Sequence, residues 1–326
     1  MYAVVRRVLD IFEDYFAHPI PWHFAPPLQR LLLIPLVRWD NAQSGFGFLE
    51  FGYGRRRNGL DLQNPYCENF DVLAHEMGHS IIFSQVGFPD NELALTAEYG
   101  GFHESSGDLT ALVGVLHFES VVKHLLDTSS GNLFTRNELE RVGELSTSQE
   151  IRSAFNGLRM GDVGGEPHDL SQPLTGALFD VFVEVFQKEL VAARLITQKL
   201  ADRSFHEGNS PDDDDQIHSE FEQAYARDKA GFATALLKAR DYWGQLLAKI
   251  WGQLSPNFLT YPKVASAAFA ADRELTSGKH QETIRACFAW RNISLLSNPL
   301  AAVPHRCLAP DRRMSKKSRG LAEAAR

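Results

Sequence analysis

Residues 70–82 read FDVLAHEMGHSII, and they contain the motif HExxH from His75 to His79. Apolar residues surround the motif at helical spacing, so the stretch predicts a helix over 68–86. On a helix, residues i and i+4 lie one turn apart on the same face, so both imidazoles can point at one ion. Glu76 then stands beside the position that a catalytic zinc leaves open for water, where a carboxylate can accept a proton.

The motif alone leaves two interpretations open, a metal site or an ordinary helix with two histidines. In a chain of 326 residues with 12 histidines, HExxH arises by chance on the order of a few per cent of the time. The apolar neighbours Val72, Leu73, Ile81 and Ile82 predict that the helix is largely buried. Two imidazoles and a carboxylate in such a helix are costly without a partner, which favours the metal site.

A third ligand is expected downstream, where residues 96–114 offer Glu98 and Glu104. Asp108 follows Glu104 by one helical turn, so it faces the same way and can accept the outer N–H of a metal-bound histidine. Glu98 has Phe102 one turn later and precedes a Gly-Gly pair, so it lacks this support. We therefore predict that Glu104 is the third ligand.

Composition excludes several other classes of protein. The chain is 44% apolar and 23% charged with a net charge of −8, so it is typical of a globular protein and not of a nucleic-acid binder. It contains no run of about 20 apolar residues, so we expect no membrane partner. The three cysteines, Cys67, Cys287 and Cys307, cannot all pair with one another, which argues against a disulfide framework. The sequence contains no CxxC, which argues against a zinc ribbon.

The N-terminus bears on localisation. Residues 2–16 mix acids with an apolar stripe and predict an amphipathic helix, not a signal peptide. As written, the chain is therefore expected to be cytoplasmic, and extracellular if its N-terminus is truncated.

The order of predicted elements suggests an α+β fold. Strands are expected over 31–37 and 46–53, with a turn at 40–45 between them. Helical spacing dominates afterwards, and the predicted helices cover 102–127, 174–200, 216–254, 261–275 and 279–291. This order predicts a strand-rich N-terminal lobe over 1–86 that ends in the HExxH helix, then an all-α lobe over 87–297. Residues 298–326 predict a disordered basic tail, and the acidic stretch 210–216 a solvated linker.

HExxH followed by ExxxD resembles the gluzincins, and within them the thermolysin family of neutral metallopeptidases. Further stretches resemble that family in the same order along the chain. They are Trp39-Asp40-Asn41-Ala42 before the second strand, Glu98-x-Gly100-x-x-His103-Glu104 with histidine where the family has asparagine, Gly157–Met160, His168 with Ser171, and His280–Phe288. The resemblance covers roughly residues 2–293 and implies a two-lobe metallopeptidase fold.

The resemblance also implies a function, the zinc-dependent hydrolysis of peptide bonds by an endopeptidase whose partners are peptide or protein substrates. The resemblance implies that His75, His79 and Glu104 bind zinc and that Glu76 is the general base. It implies that His168 stabilises the oxyanion and that Arg159 holds a substrate carbonyl. Asn41 and the Ala42 backbone would hold the peptide as an added strand. Asp162 and Asp169 are two candidates for orienting His168.

Two further positions depart from the family. Leu95 stands where a tyrosine helps to bind the oxyanion, and Tyr99 is nearby but needs a different path. Asp71 matches a calcium ligand, whereas Val115 replaces the acid expected on the next helix, so we expect no paired calcium site. The alternative to an active enzyme is therefore a catalytically weak or inactive zinc protein of this family that binds peptides or proteins.

Overall fold

The computed structural model, which describes residues 1–56, 59–134, 139, 141–142, 152–204 and 210–296, is mostly helical and has few strands. The predicted α+β fold with a strand-rich N-terminal lobe is therefore wrong, because the strands form small sheets only. The division of the chain at residue 86 stays a prediction, and the predicted tail lies outside the described residues.

The sheets are small because both predicted strands are interrupted. The strands are β1 Leu32–Ile34, β2 Ala42–Gly45, β3 Phe48–Phe51, β4 Tyr53–Arg56, β5 Gly59–Pro65, β6 Arg141–Val142 and β7 Arg152–Ser153. Pro35 follows β1 directly and cannot donate to a strand ladder. Gly52 ends β3, and any side chain there would collide with the carbonyl oxygen of Trp39. The first sheet has the order β1-β3-β2, whereas β4 pairs with β5 and with no other strand in the described part of the chain. The predicted turn at 40–45 contains the edge strand β2.

The helices follow the predicted apolar spacing more closely. They are α1 Tyr2–Phe16, α2 Phe70–Gln85, α3 Ala97–Val115, α4 Glu119–Ser129, α5 Pro167–Ala192, α6 Gln198–Ser204, α7 Pro211–Arg227, α8 Lys229–Gln253, α9 Tyr261–Thr276 and α10 Gln281–Trp290. The predicted helix 102–127 divides into α3 and α4, and the predicted helix 216–254 divides at Asp228. Within the described part of the chain, no single helix is long and apolar enough to cross a membrane; α3 and α4 pass that test only as a pair, bent by 92°.

The acidic stretch 210–216 is helical, so the predicted linker is wrong. Ser210 caps α7 by accepting from the backbone N–H of Asp213, whose carboxylate accepts in turn from the Ser210 backbone. Carboxylates in the first turn of a helix are stabilised by its exposed N–H groups and by its dipole. The run of aspartates therefore favours a helix start at this position.

Glycines allow α2 and α3 to approach closely. A Cβ on Gly78 would lie 2.8 Å from the Thr110 hydroxyl, and a Cβ on Gly107 would lie 2.6 Å from the His75 ring. Neither position has room for a side chain. The HExxH helix thus lies directly against the helix that carries Glu104, which places the predicted ligands of both helices side by side.

A second close approach brings the start of α5 to α3. A Cβ on Gly100 would lie 3.1 Å from Pro167, and a Cβ on Gly101 would lie 2.7 Å from the Leu170 side chain. Tyr261 also donates from its hydroxyl to the Leu170 carbonyl at 2.7 Å. These contacts position the first turn of α5, which contains His168.

A buried ion pair anchors the segment that leads into α5. Arg291 is 0% exposed and its guanidinium lies 2.9 Å from Asp180 on α5. The same guanidinium donates to the Asn156 side chain at 2.8 Å and to the Leu158 carbonyl at 3.0 Å. The segment before His168 is therefore tied to the helical core.

Candidate metal centre

His75, His79 and Glu104 form a buried group that could hold a metal ion. Each offers one ligand atom, and these atoms all lie within 4.8 Å of one another. Nε2 of His75 is 3.4 Å from Oε2 of Glu104, and Nε2 of His79 is 3.6 Å from Oε1. These separations exceed those of a good N–H···O hydrogen bond. They suit donor atoms arranged around a common ion.

Asp108 orients the first histidine, in the contact that the sequence predicts. Nδ1 of His75 lies 2.9 Å from Oδ1 of Asp108, which is 1% exposed. A carboxylate only accepts hydrogen bonds, so Nδ1 carries the proton. Nε2, which faces Glu104, is then left with its lone pair for a metal.

A chain of hydrogen bonds that sequence reasoning missed orients the second histidine. Tyr99 donates its hydroxyl proton to the Gly87 carbonyl at 2.7 Å. Its oxygen therefore accepts from Nε2 of His103, which is 3.2 Å away. Nδ1 of His103 can then accept from Nδ1 of His79, at 3.3 Å. This pattern leaves Nε2 of His79 without a proton and able to bind a metal.

The neutral state of His103 is essential to this chain. Burial lowers the pKa of His103 to about 3, so near neutral pH the ring has one donating and one accepting nitrogen. The helical i, i+4 spacing of Tyr99 and His103 is the signal in the sequence that could have revealed the contact.

The carboxylate of Glu104 is held in its charged form. Burial alone would raise its pKa, but contacts with the neighbouring imidazoles, the largest of them the hydrogen bond from Nε2–H of His168, bring the pKa well below the usual range. A charged carboxylate is the form that binds metal ions. All three members of the group thus have the protonation that ligation requires.

His168 lies in the first turn of α5, directly beside the metal-binding group. Its Nε2 is 3.2 Å from Oε2 of Glu104, and its Nδ1 is 2.7 Å from Oε1 of Glu166. Both ring nitrogens thus face oxygens that only accept, and both contacts are hydrogen bonds when the ring carries two N–H groups. Glu166 thus holds Nδ1 of His168, and the orienting roles of Asp162 and Asp169 stay predictions. Glu166 also caps α5, and a carboxylate just before a helix start was the available signal.

These residues line one side of a cavity of about 510 Å³. His75, Glu76, His79, Glu104 and His168 all face it. Glu76 is 7% exposed. A buried carboxylate and a half-exposed imidazole therefore flank the metal-binding group within one cleft.

The opposite side of the cavity is formed by the edge strand β2. Asn41, Ala42, Gln43 and Ser44 line the cavity, and β2 pairs with β3 on one side only among the described strands. The Asn41 side chain accepts from the Ala42 backbone N–H at 2.9 Å. An edge strand beside a cleft can pair with an extended peptide through its backbone.

Three residues singled out in the sequence lie elsewhere. Arg159 does not line the cavity, and its guanidinium lies 4.7 Å from the centre of the Trp290 ring. Leu95 is 53% exposed and is also absent from the lining. Glu98 accepts from the backbone N–H of Tyr261 at the start of α9. The predicted substrate-binding role of Arg159 stays a prediction.

Comparisons with known proteins add no identification. No family model matches the chain, and no curated protein matches it either.

Proposed function

We propose that the protein is a zinc-dependent endopeptidase that hydrolyses peptide bonds with Glu76 as the general base. One observation carries the proposal: the group of His75, His79 and Glu104 shares its cleft with Glu76, His168 and an edge strand. The motifs HExxH and ExxxD, which resemble those of the gluzincins, support the same chemistry.

The donor set fits zinc. Two imidazole nitrogens and one carboxylate oxygen are the protein ligands of many catalytic zinc sites, which keep a fourth position for water. With zinc–ligand bonds of about 2.0 to 2.1 Å in a tetrahedron, donor atoms lie about 3.3 Å apart. The measured separations of 3.4 and 3.6 Å to Glu104 are close to that value.

Glu76, His168 and the edge strand β2 each have a role in the proposed hydrolysis. A zinc ion bound there would supply Lewis-acid polarisation of water and of the substrate carbonyl. Glu76 takes a proton from the attacking water, whose oxygen bonds to the carbonyl carbon, and passes a proton to the leaving nitrogen as the C–N bond breaks. His168 donates a hydrogen bond to the oxygen that becomes negative during the attack. The edge strand β2 holds the peptide extended, which accounts for Asn41 and Ala42 in the lining.

A second candidate function is a peptide-binding zinc protein with weak or no catalysis. It is favoured by the hydroxyl of Tyr99, which donates to Gly87 and supports His103. That hydroxyl is therefore not directed at a substrate oxyanion, and Leu95 offers no donor. Under this candidate, zinc and peptides bind but no bond is cut.

Two assays separate these candidates. Zinc content of the purified chain tests the metal site, and cleavage of casein with and without a chelator tests the reaction. We expect one zinc per chain and cleavage that the chelator abolishes and added zinc restores. A zinc-loaded chain that binds casein peptides and leaves them intact would establish the second candidate.

Metal removal is expected to abolish the activity and also to lower the stability of the fold. The ligands come from α2 and α3, so a bound ion joins the two helices and its binding adds to folding. At a metal concentration 1,000 times the Kd this contribution is about 4 kcal/mol, or about 5 to 10 °C in Tm.

Differential scanning fluorimetry with and without chelator measures this shift, and two variants calibrate it. Glu98→Ala removes a carboxylate that contacts α9 and should keep the metal-dependent shift. Glu104→Ala should lose it. An equal Tm of the loaded and stripped protein contradicts the proposed site, and loss of the shift in Glu98→Ala alone would mean that Glu98 is the ligand.

Tyr99→Phe is expected to weaken zinc binding by about 10-fold. The substitution keeps the ring but removes the oxygen that accepts from His103, so the hydrogen bond that fixes His79 loses its support. Competition with a fluorescent chelator measures the Kd for zinc. Tyr242→Phe is the matched control, because its hydroxyl bonds to Asp272 away from the cleft.

A further pair of variants separates orientation from packing. His103→Asn can still present an oxygen to the Nδ1–H of His79 and should retain most of the affinity. His103→Leu fills similar space without an acceptor and should lose it. Equal affinities in Tyr99→Phe, His103→Leu and the parent would show that the chain of hydrogen bonds does not position His79.

A further inference from the structure

The cleft continues into a cluster of rings beyond His79. This aromatic shelf consists of Phe83, Phe88, His23 and Phe46. Phe83 and Phe88 are stacked with ring centres 4.2 Å apart, and His23 lies 5.2 Å from Phe83 and 5.9 Å from Phe46. Phe83 lines the cavity, whereas Phe88 is 50% and Phe46 55% exposed. The shelf thus joins the cavity to the surface.

The shelf lies on the path of an extended peptide. His75, His79 and Phe83 follow one another at intervals of one helical turn, so they share a face of α2. The hydroxyls of Ser44 on β2 and Ser80 on α2 are 2.9 Å apart. Phe83 lies three residues after Ser80 and Phe46 two residues after Ser44, and both rings contact His23. Strand and helix therefore run side by side from the metal-binding group to the shelf.

Element dimensions give the approximate position of the shelf relative to the bond that is cut. One turn of helix, from His79 to Phe83, rises about 5.4 Å. An extended peptide advances about 3.4 Å per residue. The shelf is therefore about two residues from the bond beside the metal. Antiparallel pairing is slightly more stable than parallel pairing. Because Phe46 of the shelf follows the C-terminal end of β2, a peptide that adds antiparallel to β2 has its N-terminal part at the shelf.

The chemistry of the shelf selects its ligand. Three of its four side chains are phenyl rings, and burial lowers the pKa of the fourth, His23, which keeps that imidazole neutral near pH 7. A carboxylate side chain would lose water there and meet the negative faces of the rings. An aromatic side chain would stack on the rings or meet their edges and bury apolar area.

We propose that the aromatic shelf is a specificity subsite, which binds an aromatic or bulky aliphatic side chain of the peptide about two residues before the cleaved bond. This inference rests on the proposed function for the reaction, but binding at the shelf can be measured without cleavage. Truncation of Phe46 and Phe88 should therefore change peptide selectivity while zinc content stays the same.

The test compares the parent with Phe46→Ser/Phe88→Ser and with Leu62→Ser. Leu62 is 55% exposed, which matches Phe46, and it lies on β5 outside the cavity lining. Digestion of a peptide library, read by mass spectrometry, should show about 10-fold preference for Phe over Ala two residues before the cleaved bond, both in the parent and in Leu62→Ser. The double variant should retain about twofold or less. Unchanged preference in the double variant would overturn the subsite.

A binding assay distinguishes failure of the subsite from failure of the proposed reaction. Zinc-loaded Glu76→Gln, with and without the double substitution, is titrated against fluorescent peptides that carry Phe, Leu, Ala or Asp at the same position. If the parent cleaves nothing but the shelf still determines a binding preference for Phe, the proposed peptidase is overturned and the subsite is retained. If the parent cleaves peptides but binding does not depend on the shelf, the subsite is overturned and the peptidase is retained.

Two further readouts complete the design. If the double variant does not fold, Phe88→Leu keeps the bulk and should lower the preference for Phe over Leu by about threefold. Size-exclusion chromatography tests whether the shelf is covered by a second copy of the chain. A dimeric parent that becomes monomeric in the double variant, with unchanged peptide preference, assigns the shelf to self-association and overturns the subsite.

Discussion

Glu76→Gln is expected to keep its zinc and to hydrolyse peptides about 100- to 10,000-fold more slowly than the parent, the usual loss when a general base is removed. The reason is geometric. Glu76 lies between His75 and His79 in the sequence and lines the same cavity, yet it is not a member of the group that could hold a metal ion. The amide preserves the shape of the side chain and removes only the oxygen that accepts the proton. Substrate affinity should change little.

The measurement pairs zinc content with kcat and KM on one peptide. Glu98→Gln is the matched control, because its carboxylate contacts the start of α9 and does not line the cavity. It should keep both zinc and activity. Hydrolysis by Glu76→Gln at the parent rate would eliminate the proposed mechanism, and loss of zinc from it would place Glu76 among the ligands.

The parts of the fold that depend on nearby residues could be predicted from the sequence. The boundaries of α1 match the expected 2–16, and α2 begins just after Asn69, whose side chain accepts from the N–H groups of Asp71 and Val72. Both helices have apolar spacing, and α2 also has a local start signal in Asn69. The pairing of Glu104 with His75 and His79 was equally accessible, because i, i+4 spacing on two helices limits which side chains can meet.

The sheet was predicted poorly because strand pairing is a long-range property. Phe46 to Tyr53 is rich in Phe and Gly and was expected to be one strand, but the close contact of Gly52 with Trp39 divides it. No local pattern shows that contact, which depends on where the chain returns. The predicted turn over 40–45 likewise contains β2, the edge strand of the cleft.

The residues that orient the ligands were predicted only in part. Asp108 was accessible because it lies one turn from Glu104 on the same helix. The roles of Tyr99 and Glu166 could not be predicted, because they depend on contacts with Gly87 and with α5 that only the folded chain creates. Hydrogen-bond direction, which decides the tautomer of His79, also needs the complete network and cannot be read from residue types.

His168→Ala is expected to lower kcat by about 100- to 1,000-fold while leaving zinc content intact and changing KM less. Its imidazole lies beside Glu104 but outside the metal-binding group, so its removal leaves the ligands in place. The charge that it stabilises exists only while water attacks the carbonyl. An interaction made only in the transition state contributes to the rate and not to binding of the substrate.

Steady-state kinetics on zinc-loaded protein measure this separation of kcat from KM. His218→Ala is the matched control, because its side chain is 51% exposed compared with 56% for His168 and it pairs with Glu222 on α7. Glu166→Gln keeps an oxygen near Nδ1 but removes the charge that favours a second N–H on His168, so it should cost about 10-fold or less. If His168→Ala raises KM and leaves kcat unchanged, His168 holds the substrate and another group must stabilise the oxyanion. Neither Leu95 nor the occupied hydroxyl of Tyr99 offers that donor, so the search for it would turn to the other residues that line the cavity.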